Sequence, residues 1–162
     1  MLTLIFRDSL RPQDVQAIKN IVTDTGFFEP SEIITAQELA LDNLSRGEEA
    51  SGYSFILAEH EGQVIGYTCY GLIIGSEHHF DLYWIAVFPE YQNQKIGKQL
   101  LQKTEEKVKQ IGGTRIYAET SGHPSYLSTR EFYRKNGYHV EAVLVDYFKP
   151  GHDKVIFAKD LT

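Results

Sequence analysis

The chain has 162 residues, enough for one domain with a real core, and its 42% of hydrophobic residues exclude a disordered chain. Its net charge of −6 makes it a poor general binder of nucleic acid, whose affinity rests on lysine and arginine contacts to phosphate. One cysteine, Cys69, excludes an intrachain disulfide; no stretch is long and apolar enough to span a membrane, and MLTLIFRDSL lacks the parts of a signal peptide, so a cytoplasmic location is the expectation.

Leu2, Leu4 and Phe6 alternate with Thr3, Ile5 and Arg7, which suits a first strand. Arg11-Pro12 opens a helix to about Thr23, with Val15, Ile18, Ile21 and Val22 on one face. Residues 26–30 break it, and a second helix runs to Leu44 or Arg46, closed by Gly47. Its start is open between Ser31 as cap and a capping box of Thr35 with Glu38. Tyr53 to Glu59 and Gln63 to Ile74 read as strands joined at Glu61-Gly62. Cys69, inside the second, reads as a buried core thiol.

After a turn at Gly75-Ser76-Glu77 comes the most informative stretch, Asp81 to Val108. Leu82, Trp84, Ile85, Ala86 and Val87 form an apolar strand that Pro89 ends. A polar loop, Glu90 to Lys95, leads into a helix with Ile96, Leu100, Leu101, Thr104, Val108 and Ile111 at helical spacing. A strand that feeds a polar loop into a helix start aims free backbone N–H groups at one point, an anion site to which the helix dipole adds. Lys95 and Lys98 bring positive charge there, and Gly97 permits close approach of the backbone. Gly112-Gly113 caps this helix, and Thr114 to Thr120 reads as a strand. A short helix runs from about Tyr126 to Lys135, and Tyr138 to Phe148 with Lys154 to Lys159 makes a final hairpin around Pro150-Gly151.

YWIAVFPEYQNQKIGKQLL resembles the core motif of the GNAT superfamily of N-acetyltransferases, Gln/Arg-x-x-Gly-x-Gly/Ala after a strand and before a helix. Gln92, Asn93, Gln94, Lys95, Ile96 and Gly97 occupy its six positions; Gln92 and Gly97 match, and Lys95 stands where the family has its first glycine. TREFYRKNGY is similar to the family's Phe-Tyr-x-x-x-Gly-Phe/Tyr signature through Phe132, Tyr133, Gly137 and Tyr138. The resemblance covers nearly the whole chain. It implies one GNAT-like acetyltransferase domain over residues 1–162 with an α/β fold. Its central sheet would be mixed and mostly antiparallel, of about seven strands flanked by about four helices, splayed between the fourth and fifth strands. It further implies acetyl-CoA as cosubstrate, with pantetheine along the backbone of Ile85, Ala86 and Val87 and pyrophosphate on the loop from Gln92 to Lys98.

The expected function is transfer of acetyl from acetyl-CoA to a primary amine of a small molecule or peptide, by direct attack in a ternary complex. Such a reaction needs the amine deprotonated and the departing thiolate protonated, with no covalent group on the protein. The resemblance makes Tyr133 the candidate acid; packing as the apolar face of a short helix is the other reading of Phe132 and Tyr133. Glu119, near the end of its strand, is the candidate base, weighed against an exposed strand-end carboxylate, with Asp81 and Glu29 as rivals. Phe27, Phe28 and Glu29 are candidate acceptor contacts, or a staple at a helix turn. Tyr126, Arg130 and Tyr147 are further pocket candidates. The six histidines are scattered and spell no metal motif, so no metal is expected. A homodimer is compatible with the family. The alternative class is a non-catalytic acyl-CoA-binding sensor or regulatory module, to which Lys95 lends standing; a third is an interaction protein that has lost the cofactor site.

Overall fold

The structure, a computed structural model, describes residues 2–162. Its elements are β1 (Ile5–Arg7), α1 (Asp14–Thr25), α2 (Pro30–Ser51), β2 (Ser54–His60), β3 (Gln63–Leu72), β4 (His79–Val87), α3 (Ile96–Gln110), β5 (Arg115–Ser121), α4 (Leu127–Lys135), β6 (His139–Lys149) and β7 (His152–Asp160). Single 3-10 turns occupy Pro89–Tyr91 and Pro124–Tyr126. The strands form a seven-stranded mixed sheet in the order β1-β2-β3-β4-β5-β7-β6, with β4 and β5 parallel. The parallel ladder runs from His79↔Arg115 to Leu82↔Ala118 and stops short of the ends of both strands. The seven-stranded mixed sheet and its parallel β4–β5 pair agree with the expected GNAT-like fold.

The residues group into two compact units. The first holds β1, α1, α2, β2, most of β3, the Trp84–Val87 end of β4 and α3 to Lys107. Ile18, Ile21 and Val22 of α1, Ala36 and Ala40 of α2, and Phe55 and Leu57 of β2 are buried. So are Leu100 and Leu101 of α3. Thr104, on the apolar face of α3, is buried without being left unpaired: its hydroxyl donates to the Leu100 carbonyl at 2.9 Å and shares a 2.7 Å hydrogen bond with Thr68. Cys69 is buried as expected, and burial pushes its thiol pKa well up, so it is held as the inert thiol.

One charged cluster ties three elements of this unit together. The Arg7 guanidinium donates from Nη1 and Nη2 to both oxygens of Asp14 and from Nε to Glu59, each at 2.7 Å. Asp14 also accepts the Arg11 backbone N–H at 2.7 Å. Asp14 is only 1% exposed, so its charge depends on these donors. A bidentate guanidinium is the side chain suited to it, and the pairing raises the pKa of Arg7 further above its ordinary value.

The second helix departs from expectation at both ends. Glu29 is its N-cap and makes the capping box with Glu32, with Pro30 in the first turn, so neither Ser31 nor Thr35 starts it. Gly47 leaves the helical region with φ 85° and ψ 167° but only kinks the helix, which resumes and ends at Ser51 before Gly52. Ile111 falls beyond the end of α3 and is exposed.

The second unit comprises the His79–Tyr83 part of β4, β5, α4 and the β6–β7 hairpin. Ile116, Ala118, Val155 and Phe157 are buried on one face of the β5–β7 pair. Tyr133 of α4 packs there, its ring 5.4 Å from Phe157 and 5.6 Å from Tyr138. A Cβ on Gly113 would lie 2.3 Å from Val108 and 2.8 Å from Phe80, so only glycine fits the exit from α3. β6 is exposed along most of its length and bulges: Leu144 pairs with Lys154 and Lys149 with His152, leaving 145–148 looped out. The bulge is pinned. Asp146, at φ 53°, donates its N–H to Asp153 and accepts the Gly151 N–H on its carboxylate, both at 2.9 Å.

Replacing Arg7 with methionine leaves the buried Asp14 carboxylate without its guanidinium. The expected loss is about 3 kcal/mol of folding stability, read by urea unfolding. A loss under about 1 kcal/mol would mean the cluster contributes little.

Candidate active site

In the first unit, β4 ends at Val87 and the Phe88 N–H donates to the Ile65 carbonyl at 2.9 Å, which anchors the loop to β3. The Gln92 side-chain amide donates to the Val87 carbonyl at 3.1 Å and folds the loop back on its own strand. Asn93 and Lys95 both have φ 63°, the left-handed region. Asparagine tolerates it, but for lysine it costs about 1 kcal/mol. That is the backbone a glycine at this position would favour, so Lys95 follows a glycine-compatible path rather than straightening the loop. The Gln99 N–H then donates to the Lys95 carbonyl at 3.1 Å, the first helical bond of α3.

The amides of Ile96, Gly97 and Lys98 therefore occupy the first turn of α3, where a helix has no internal acceptors for them. No acidic residue stands in that turn. Gln92, Asn93, Gln94, Lys95 and Lys98 are exposed, whereas Ile96 is 2% exposed and anchors the start of α3 in the core. Ala86 and Val87 are buried and Ile85 is half-buried. The predicted cofactor residues thus form one continuous strand, loop and helix start.

Of the predicted acceptor residues in this unit, Phe28 meets Trp84 edge-on at 4.7 Å. Glu29 is exposed and is the N-cap of α2, in a capping box with Glu32. Phe27 is 46% exposed.

In the second unit the ladders set the chemistry. Asp81 pairs with Tyr117, Glu119 with Ile156, and Ser121 with Lys154, so Asp81, Glu119 and Lys154 share the sheet face opposite the buried Ile116 and Phe157. The Lys154 ammonium lies 2.8 Å from a Glu119 oxygen and 4.3 Å from the centre of the Tyr147 ring. Its pKa is raised, first by the hydrogen bond to Glu119. Asp81 is half-buried; desolvation, and then repulsion from Glu119, pushes its carboxyl pKa above the ordinary value, while Lys154 pulls it partly back. Tyr133 is 5% exposed, and burial holds its phenol pKa well up, so it keeps its proton. Arg130 fixes α4 to the loop after β5 by donating to the carbonyls of Ser121 and His123 at 2.8 and 2.9 Å. Tyr126 is half-buried in the 3-10 turn that precedes that helix. Sequence reasoning missed Lys154, because nothing local ties it to Glu119; only the register of β5 on β7 does. Among the described residues no group of three or more histidine, cysteine or carboxylate side chains could hold a metal ion.

A seven-stranded mixed sheet with this strand-loop-helix cradle defines an acetyltransferase. The model of the acetyltransferase (GNAT) family matches residues 16–138. A GNAT-family protein of known structure from Desulfovibrio desulfuricans is 39% identical, with a TM-score of 0.97, covering 99% of this chain and 100% of that one. The ribosomal-protein-S18-alanine N-acetyltransferase of Escherichia coli aligns at 19% identity and a TM-score of 0.78 over 99% of this chain and 95% of its own. The PaiA N-acetyltransferase of Thermoplasma acidophilum, in complex with coenzyme A, aligns at 23% and 0.75 over 98% and 99%. No curated sequence matches. The chain belongs to the GNAT family of acetyltransferases.

Lys95→Gly relieves the left-handed strain but adds unfolded-chain entropy, so a net gain of about 0.5 kcal/mol is expected in chemical unfolding. A loss would show that the Lys95 side chain makes a stabilising contact. Asp81→Asn should raise the melting temperature at pH 7. A carboxyl whose folded pKa is raised contributes stability that is full below the unfolded pKa and lost as pH rises through the folded one. The gain should therefore fade as pH falls towards about 3.5, where the wild-type group is protonated. A gain independent of pH would exclude ionisation as its cause.

Proposed function

We propose that this acetyltransferase moves the acetyl group of acetyl-CoA to a primary amine of a small molecule or peptide, by direct attack in a ternary complex. The observation that carries the reading is the Asp81 carboxyl, half-buried and crowded by Glu119 on one sheet face. A raised carboxyl pKa makes Asp81 a better base near neutral pH, while the Glu119 carboxylate is ion-paired with Lys154 at 2.8 Å. The base assigned to Glu119 from the sequence becomes in this reading a pair: Glu119 holds the ammonium form and Asp81 takes its proton. The free amine then attacks the thioester carbonyl, the C–N bond forms, the C–S bond breaks, and Tyr133 gives its phenol proton to the departing thiolate.

Acetyl-CoA would lie with pantetheine along the backbone of Ile85, Ala86 and Val87. Its pyrophosphate would meet the amides of the loop Gln92 to Lys98, with Lys95 and Lys98 adding charge. The left-handed backbone at Lys95 supports acetyl-CoA binding by this loop, since it keeps a path a glycine would take.

The test is release of CoA thiol from acetyl-CoA across a panel of primary amines. Tyr133→Phe should lower kcat about 100-fold while the dissociation constant of acetyl-CoA changes less than about threefold. In the wild type kcat/KM should rise with pH through the raised Asp81 pKa, and Asp81→Asn should remove that limb. Full turnover by Tyr133→Phe would take the phenol out of the mechanism.

A further inference from the structure

Lys154 is held in an unusual way for a lysine near a sheet edge. Its side chain is 15% exposed, and its ammonium rests on the face of Tyr147 and against Glu119. Three different strands supply the surroundings: Asp81 from β4, Glu119 from β5 and Tyr147 from β6. An aromatic face beside a carboxylate is the chemistry that selects an alkylammonium group. The charge count points the same way. Asp81, Glu119 and Lys154 taken together are net negative with the lysine in place. Tyr147 does not drift, because its bulge is pinned through Asp146, Asp153 and Gly151. Beside it, Val145 and Phe148 are 76% and 56% exposed and form an apolar flank.

We propose that the seat filled by the Lys154 ammonium is the recognition site for the acceptor's own primary ammonium, carried on an unbranched alkyl chain, and that the acceptor displaces Lys154 to bind. Lys154 is thus an internal stand-in for the ligand, with a four-carbon stem that shows what the seat accommodates. The displaced side chain turns to solvent from β7. The identification of the ligand as the acceptor rests on the amine-acetylation reading; the ammonium seat does not.

The test uses the full chain without acetyl-CoA and n-butylammonium as probe, which is the lysine side chain cut from its backbone. In Lys154→Ala the melting temperature should rise to a plateau, by about 3 °C or more at ten times the dissociation constant. The wild type, with its seat filled, should show no comparable rise. Matched sodium chloride and n-butanol should have no effect on the variant. Adding Tyr147→Leu, a change at a residue 54% exposed, should abolish the response. Should the alanine variant fail to fold, Lys154→Ser makes the same vacancy. Equal responses of wild type and variant, or a response to butanol, would overturn the seat. With acetyl-CoA present, Lys154→Ala should lower the KM for n-butylamine about tenfold. An unchanged KM beside a clear thermal response would mean the seat is not the acceptor's. A thermal response with no thiol release from any amine would leave the seat standing and defeat the acetyl-transfer reading instead.

Discussion

The 2.8 Å ion pair between Glu119 and Lys154 is the contact on which the chemistry of the second unit turns. It exists because β7 lies against β5 in a register that pairs Ser121 with Lys154 and Glu119 with Ile156. Shifting that register by one residue would send Lys154 to the buried face and bring Val155 out of the core. The hydrophobic alternation of Val155 and Phe157 therefore holds the charge pair in place. The Asp81 carboxyl responds to the same arrangement: desolvation first and Glu119 second push its pKa up, and Lys154 pulls it partly back.

The first unit presents backbone amides at the start of α3, where the proposed anion would sit. Two constraints shape it. The buried Ile96 fixes the start of α3, and the Phe88–Ile65 and Gln92–Val87 hydrogen bonds fix the end of β4. The loop between those anchors is short, and it closes only by passing twice through the left-handed region, at Asn93 and Lys95. A lysine there trades about 1 kcal/mol of backbone strain for a cation beside the amide cradle. That exchange makes sense where the ligand is a polyanion, and little sense in a loop that only connects a strand to a helix.

Much of this was legible in the sequence because the signals are local. The amphipathic spacing from Ile96 to Thr104, the turn at Glu61-Gly62 and the strand ending at Pro89 each depend on neighbours within a few residues. The two motif stretches, through Gln92 to Gly97 and Phe132 to Tyr138, led to the family for the same reason. What could not be read depends on pairing between distant segments. Arg7, Asp14 and Glu59 look like ordinary surface charges until β1 is laid on β2. The capping box of α2 was misplaced because three overlapping cap patterns lie between Glu29 and Glu38, and only the backbone at Glu29 decides among them. Lys154 carried no signal at all. The bulge at 145–148 likewise hides in a run that alternates well enough to pass for regular strand.

Several residues that break the ordinary rules are ones the proposed chemistry uses. Lys95 adopts a backbone that suits glycine, Asp81 is a carboxylate partly removed from water beside another, and Tyr147 and Phe148 are aromatic rings left in solvent. Each is a small local loss of stability. The buried charges of the Arg7 cluster, by contrast, are fully hydrogen-bonded, and the buried threonines of α3 and β3 satisfy each other. A chain that satisfies its polar groups with such care in one place and leaves them crowded in another has not done so through loose packing. The crowding of Asp81 by Glu119 and the backbone strain at Lys95 lie where the proposed amine and polyanion would bind, and relief on binding is expected of both.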